Sequence, residues 1–379
     1  LSGHPTAHIS AFLSDQDDWS PHRLKANEGI SFQGSIVLGM GFVLTPVEAR
    51  AMLDADPRNS DVIFPYLNGE DLNSDPEQRP SRWVINFWDW PEERAQTYLQ
   101  PYQWIKQKVY PERIIKKDRG ARDKWWLFLR ARPELYHAIG RGKHFEKHPK
   151  GWINTLFMDH VMVNALVSKH FNPSFISNEI IFAHKLVVFA SNDLSLFAIL
   201  NSNIGQSWAW QHSSRLKLDL NFSPSDAFET LPLPEMKTQT VCDLLTSLGT
   251  EYDNQRKYLM ENEQIGLTKL YNKFHSAKEC GEKIMALRHL ACQIDNAIAA
   301  AYDWDDLKLV HDFYPMPYLS ENDRLRFTIS ESSRLEVLRR LAALNKQRYE
   351  EEVKQGLHEK QSAKRAIKQE ISITGGLGF

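Results

Sequence analysis

Leu231-Pro232-Leu233-Pro234 splits the chain into two stretches with different apolar periodicity, and that change limits the architectures open to it. Proline has no backbone donor and clashes with the preceding helical turn, so an alternating pair stops any regular element. Ahead of it, short β-branched and aromatic runs alternate with turn residues: Ser31–Leu44, Trp83–Trp88, Trp152–Phe157, His160–Ser168, Ile180–Phe182 and Lys185–Ala190. Such runs read as short strands, the first bent or bulged by its glycines. Behind it, strand signals vanish and apolar residues fall at helical steps, as in Leu244, Leu245 and Leu248, then Leu287, Leu290, Ala291 and Ile294. The stretch 330–370 continues the pattern with Leu335, Leu338, Leu341, Ala342 and Asn345 between charge blocks.

The expected class is therefore α+β. A twisted β-rich domain with inserted helices spans 28–235, and a helical C-terminal domain spans 236–379. Within the first, Thr45-Pro46-Val47-Glu48 is a capping box with proline at the first helical position, which starts a helix running to about Leu53. A second helix is expected from Glu92 to about Val109. Residues 1–27 are polar and read as a linker from a domain upstream, and the opening Leu1-Ser2-Gly3-His4 carries no initiator methionine. The glycine-rich tail 375–379 is expected to be loosely held.

Composition excludes several classes. No apolar run approaches the roughly 18 residues of a membrane span, and no secretory signal pattern opens the chain. The three cysteines, Cys242, Cys280 and Cys292, form no CxxC pair and read as free thiols of a reducing cytoplasm. The histidines His144, His148, His160, His170 and His184 lack the paired spacing of a zinc site. No P-loop, nucleophile elbow or nuclease-type carboxylate cluster is present.

Net charge is only −2, but its distribution is uneven. Residues 1–100 hold 7 Lys/Arg against 15 Asp/Glu, whereas residues 101–150 hold 14 against 5. Phosphate contacts need a local cation patch rather than a high overall charge. Lys116, Lys117, Arg119, Arg122 and Lys124 are the candidates for a DNA backbone, with Trp125-Trp126 beside them as aromatic neighbours.

The most informative local pattern runs from Arg215 to Phe222, where polar and apolar residues alternate without error. On one strand, Leu216, Leu218, Leu220 and Phe222 would face the core while Arg215, Lys217, Asp219 and Asn221 share the open face. Cations suit guanine O6/N7, an amide suits adenine N6/N7, and a carboxylate accepts from cytosine N4. By pattern alone the simpler reading is a solvated strand face.

Three near-motifs carry no catalytic site. Gly39-Met40-Gly41 lacks a third glycine and an immediate helix. Asn172-Pro173-Ser174-Phe175 lacks the second proline of the NPP[YF] tetrapeptide that amino-methyltransferases place beside a flipped adenine, and no cofactor loop precedes it. Gly376-Leu377-Gly378-Phe379 has no strand and helix around it.

Longer strings carry a resemblance. Ser31-Phe-Gln-Gly-Ser-Ile-Val-Leu-Gly-Met-Gly-Phe42, Val62-Ile-Phe-Pro-Tyr-Leu-Asn-Gly-Glu-Asp-Leu-Asn73 and Ser81-Arg-Trp-Val-Ile-Asn-Phe87 are three of them. Phe222-Ser-Pro-Ser-Asp-Ala-Phe-Glu-Thr-Leu-Pro232 and Gly266-Leu-Thr-Lys-Leu-Tyr-Asn-Lys-Phe-His275 are two more. Together they resemble the C-terminal half of type IIG, MmeI-like restriction–modification adenine-specific DNA methyltransferases. The resemblance implies a target recognition domain and a helical segment that bind double-stranded DNA. The methyltransferase domain, with its S-adenosylmethionine, would belong to the parent protein. It implies no cofactor and no catalytic residue in this chain, and it turns the Arg215–Asn221 strand from a solvated face into the expected base reader. The alternative is a protein-interaction or assembly module of a phage-defence complex, without base readout.

Overall fold

In the computed structural model, which describes residues 20–150, 155–316, 319 and 321–358, the glycine-rich stretch from Ser31 forms two strands rather than one bent strand. β1 (Ser31–Gln33) and β2 (Val43–Leu44) lie in different sheets. The chain changes sheets from Gly34, where an added Cβ would sit 2.2 Å from the Ala183 carbonyl oxygen. Only glycine permits that approach.

The capping box at Thr45 is present, and α1 spans Pro46–Ala55. β3 (Ile63–Leu67), α2 (Gly69–Ser74) and β4 (Arg82–Ile85) follow. The expected helix from Glu92 breaks in two, α3 (Glu92–Gln96) and α4 (Leu99–Lys108), and short helices α5 (Tyr110–Arg113), α6 (Arg119–Asp123) and α7 (Pro133–Ala138) complete this part.

The next strands are β5 (His160–Ala165), β6 (Val167–Ser168), β7 (Ser174–Ser177), β8 (Ile181–Phe182) and β9 (Leu186–Phe189). The expected run Trp152–Phe157 lies partly outside the described residues, and its remainder has no strand. One sheet has the order β2-β4-β3-β8, and a second has the order β1-β9-β5-β7. The second sheet is a wall between two cores. Val161, Val163, Leu186 and Val188 belong to a cluster drawn from residues 37–188, while Met162, Val187 and Phe189 belong to one that reaches the C-terminal helices. Alternate side chains of a strand point to opposite faces, so burial on both faces needs apolar residues at nearly every position. That is why β9 is a continuous apolar run and β5 is apolar from Val161 to Val163, with buried Asn164 bonded to the Ala165 carbonyl.

The second core is built by α8 (Leu194–Asn201), α9 (Asn203–His212), α10 (Gln239–Glu263), α11 (Leu267–Phe274), α12 (Glu282–Ala301) and α13 (Glu331–Lys354). Helices α8 and α10 cross tightly at Gly249, where a Cβ would lie 2.4 Å from the Leu194 carbonyl oxygen. Two expectations need correction here. Between α12 and α13 the chain makes an antiparallel hairpin, His311–Pro315 with Leu325–Ile329, so strands do not vanish after Pro234. Its alternation, as in Leu325-Arg-Phe-Thr-Ile329, spans only five residues and is submerged among helical repeats. The buried stripe of α13 runs through Ser333, Val337, Leu341 and Asn345, leaving Leu335 exposed; Leu244 of α10 is exposed as well. Asn345 donates to the carbonyls of His22 and Thr230, and Glu352 accepts from the Lys25 and Ala26 amides, so α13 fastens residues 22–26 to the second core.

Candidate functional site

The alternating stretch at Arg215 is a hairpin, not one strand. Ser214–Leu216 pairs with Asp219–Asn221, with Arg215 opposite Leu220 and Leu216 opposite Asp219, so Lys217-Leu218 forms a two-residue loop. Leu220 and Phe222 are buried, the latter with its ring stacked 4.5 Å from Phe171, but Leu216 and Leu218 stay exposed. The reason is reach. The partner strand β6 has two residues, Val167 and Ser168, and both pair with the second arm of the hairpin. Directly opposed residues share a face. Arg215 is thus on one side, Asp219 and Asn221 are on the other, and Lys217 is at the turn. The four do not share a single open face as the pattern had suggested. Arg215, Lys217 and Asp219 are exposed, and half-buried Asn221 donates to Ser214 Oγ at 2.8 Å.

Beside Asn221 lies a groove of about 420 Å³ bordered by Gln33, Arg132, Ser225 and Asp226. Arg132 adopts φ +58° just before Pro133 and donates to Gln33 Oε1 at 2.8 Å. Gln33 in turn donates to the His184 carbonyl, which fixes the pair. Across the groove, Arg23 meets Asp226 at 3.1 Å. Burial disfavours the Asp226 charge, but hydrogen bonds from Ser223, Arg23 and Ser225 outweigh it and hold the carboxyl below its usual range. The groove thus combines amides, a guanidinium and a carboxylate, a set suited to base edges. Sequence reasoning missed Gln33 and Arg132, because only folding brings residues 33, 132 and 221 together.

The basic candidates occupy the surface around α6. Lys117, Arg119, Arg122 and Lys124 are exposed and Lys116 is half-buried. Lys116 pairs with Glu112 at 3.3 Å and Arg119 with Asp123 at 3.0 Å. Pairs this exposed are worth at most about 1 kcal/mol and give way readily to a phosphate. Arg122 donates to the Lys116 and Lys117 carbonyls and so shapes the loop. The cation surplus of residues 101–150 overstates the surface charge, however. Arg113 is buried and donates to the Val37, Leu38 and Leu127 carbonyls. Arg141 is buried against the Asn178 and Ile180 carbonyls, and burial pushes its pKa down to about 10. The neighbouring tryptophans turn inward too: Trp125 is buried, and Trp126 donates to the Trp90 carbonyl. They lie in a turn after α6, not on a strand, and the nearby core claims both rings.

Asn172-Pro173-Ser174-Phe175 is packed as well. Asn172 and Ser174 are buried, and the Phe175 ring stacks 4.8 Å from Phe197. Among the described residues no three His, Cys, Asp or Glu are placed to hold a metal ion, and no helix is long and apolar enough to cross a membrane.

A buried polar centre joins the two halves of the second core. Arg326 donates to His170 Nδ1 at 2.9 Å, and His170 Nε2 faces Asn272 Oδ1 at 3.2 Å. Guanidinium cannot accept, so the His170 proton sits on Nε2. Burial first, and the Arg326 charge second, push the His170 pKa down to about 3; burial likewise pushes that of His275, stacked on it, well below the usual range. Nearby, His311 meets Asp295 at 2.7 Å; burial opposes its charge, but hydrogen bonds to Asp295 and Cys292 raise its pKa to about 10. A histidine kept neutral in the fold contributes in full above its unfolded pKa near 6.5 and loses that contribution as pH falls below it. At pH 5, His170 alone is expected to cost about 2 kcal/mol relative to pH 7, at about 1.4 kcal/mol per unit. His311 works in the opposite sense but is already charged at pH 7, so it offsets only a fraction. The urea midpoint should therefore be clearly lower at pH 5; equal midpoints would show that these histidines are not held neutral.

No protein-family model matches the chain, and no curated protein matches it. Among solved structures the chain is similar to MmeI, a type IIL restriction–modification enzyme determined in complex with DNA. The likeness has a TM-score of 0.62 at 12% identity and covers 91% of this chain but 39% of the MmeI chain. At that identity it is a likeness of fold: the α+β arrangement described above is also found in a restriction–modification enzyme, and this chain spans well under half of that enzyme's length.

Proposed function

We propose that this chain reads a short DNA sequence as the specificity part of a restriction–modification adenine-N6 methyltransferase of type IIG. The observation that carries the reading is the hairpin Ser214–Asn221, which holds Arg215, Lys217 and Asp219 exposed and sets Asn221 on the edge of the Gln33–Arg132 groove. Donors and acceptors fixed on a β scaffold read base edges, while cations elsewhere set register on phosphates. Lys116, Lys117, Arg119, Arg122 and Lys124 supply the second part. The fold shared with a DNA-bound restriction–modification enzyme supports the assignment. In this reading residues 28–235 dock on the duplex, and residues 236–379 brace them against a methyltransferase domain of the parent protein. That domain holds S-adenosylmethionine and receives the flipped adenine. The setting is the cytoplasm.

The test is selection of bound duplexes from a randomised pool. A single preferred motif is expected, and Arg215→Ala should relax one of its positions by about 1–3 kcal/mol while leaving the others intact. Binding without any sequence preference would remove the base-reading assignment. Weak binding with a flat salt response would favour a protein-interaction module instead.

A further inference from the structure

The hairpin exposes apolar surface on both sides of its strained residue. Leu216 and Leu218 are 57% and 52% exposed, on either side of Lys217. Burying a leucine is worth about 1.5–3 kcal/mol, so each forgoes a substantial part of that. Lys217 has φ +58°, a left-handed conformation that costs a residue with a Cβ about 1–2 kcal/mol. Two-residue hairpin loops ordinarily use Gly, Asn or Asp at such positions; this one uses Lys-Leu. Strain of this kind persists only where the surrounding structure holds it, and it clusters at functional sites.

The occupant must offer apolar faces thin enough for a leucine to enter, with negative charge close by for Arg215 and Lys217. Stacked base pairs flanked by phosphates meet both demands. We propose that the tip Leu216-Lys217-Leu218 is a wedge that inserts a leucine into one base step of the bound duplex and partly unstacks it. Here Lys217 leaves the base-reading set and neutralises the phosphate beside the opened step, while Arg215 and Asp219 remain at base edges. This rests on the DNA-recognition reading above and gives the hairpin a second task. Apolar side chains that enter base steps kink the duplex at a cost of a few kcal/mol, so a step already loosened should be bound more tightly.

The experiment uses the whole chain and the duplex found by pool selection, intact or carrying a single-strand nick placed at each step in turn. Wild type is expected to bind one nicked duplex about tenfold more tightly than the intact one. The double variant Leu216→Ser/Leu218→Ser should bind all of them alike, with the wild-type salt slope and melting temperature. Equal affinity of wild type for every duplex, or a nick preference that survives in the double variant, overturns the wedge and leaves recognition standing. Absence of salt-dependent duplex binding by wild type would overturn both.

Discussion

Asp253→Ala is expected to destabilise the chain by about 3–5 kcal/mol, a large fraction of the stability of a typical domain. Asp253 is buried in α10 and accepts from Arg256 at 3.2 Å; the two side chains are 8% and 1% exposed. Arg256 also donates to Asn201 Oδ1 of α8, and its guanidinium lies 5.0 Å from the Phe197 ring. The pair therefore sits where α8, which packs on the sheet wall, meets α10 of the C-terminal helices. Removing the carboxylate leaves a guanidinium buried with only neutral partners, which costs far more than the pair itself contributes. The double variant Asp253→Ala/Arg256→Met should recover much of the loss, because an apolar chain of similar length needs no counter-charge. Denaturant midpoints measure both. An Asp253→Ala midpoint equal to wild type would mean that Arg256 reaches water.

Replacing Lys116, Lys117, Arg119, Arg122 and Lys124 together with glutamine is expected to be the largest effect on binding. Each phosphate contact contributes about 0.9 to the slope of log affinity against log salt, so the set should flatten it by up to about 4.5. Between 50 and 200 mM salt, wild type should then lose up to about 500-fold more affinity than the variant. Base preference should be unchanged, since these side chains carry register rather than sequence. Arg122 also holds the Lys116 and Lys117 carbonyls. The same set with Arg122 retained therefore serves as the control for loop shape, and should lose up to about 3.6 in slope. An unchanged slope would place the DNA backbone on another face.

Local features were legible wherever a short run of sequence decides the outcome. The capping box at Thr45 needs only residues 45–48, and it forms as read. The largely apolar runs of β5 and β9 were visible because a strand buried on both faces holds a polar residue only where it is hydrogen-bonded, as Asn164 is to the Ala165 carbonyl and the Asn172 amide. The α+β class followed from such runs and from the periodicity after Pro234. The hairpin at Lys217 was not legible. Perfect alternation over Arg215–Phe222 describes one long strand equally well, and the choice was made by the two-residue length of β6, to which the second arm pairs. The charge of residues 101–150 was countable, but the burial of Arg113 and Arg141 against carbonyls was not.

What the sequence by itself determined is thus a set of local commitments: caps, periodicities and the places where prolines and glycines break them. Tertiary structure alone decided which side chains face water and which distant residues meet, including the groove that joins Gln33, Arg132 and Asn221. The physical reason is that propensity and periodicity act within a few residues along the chain. Burial and charge pairing instead depend on neighbours that the fold brings from tens of positions away or more.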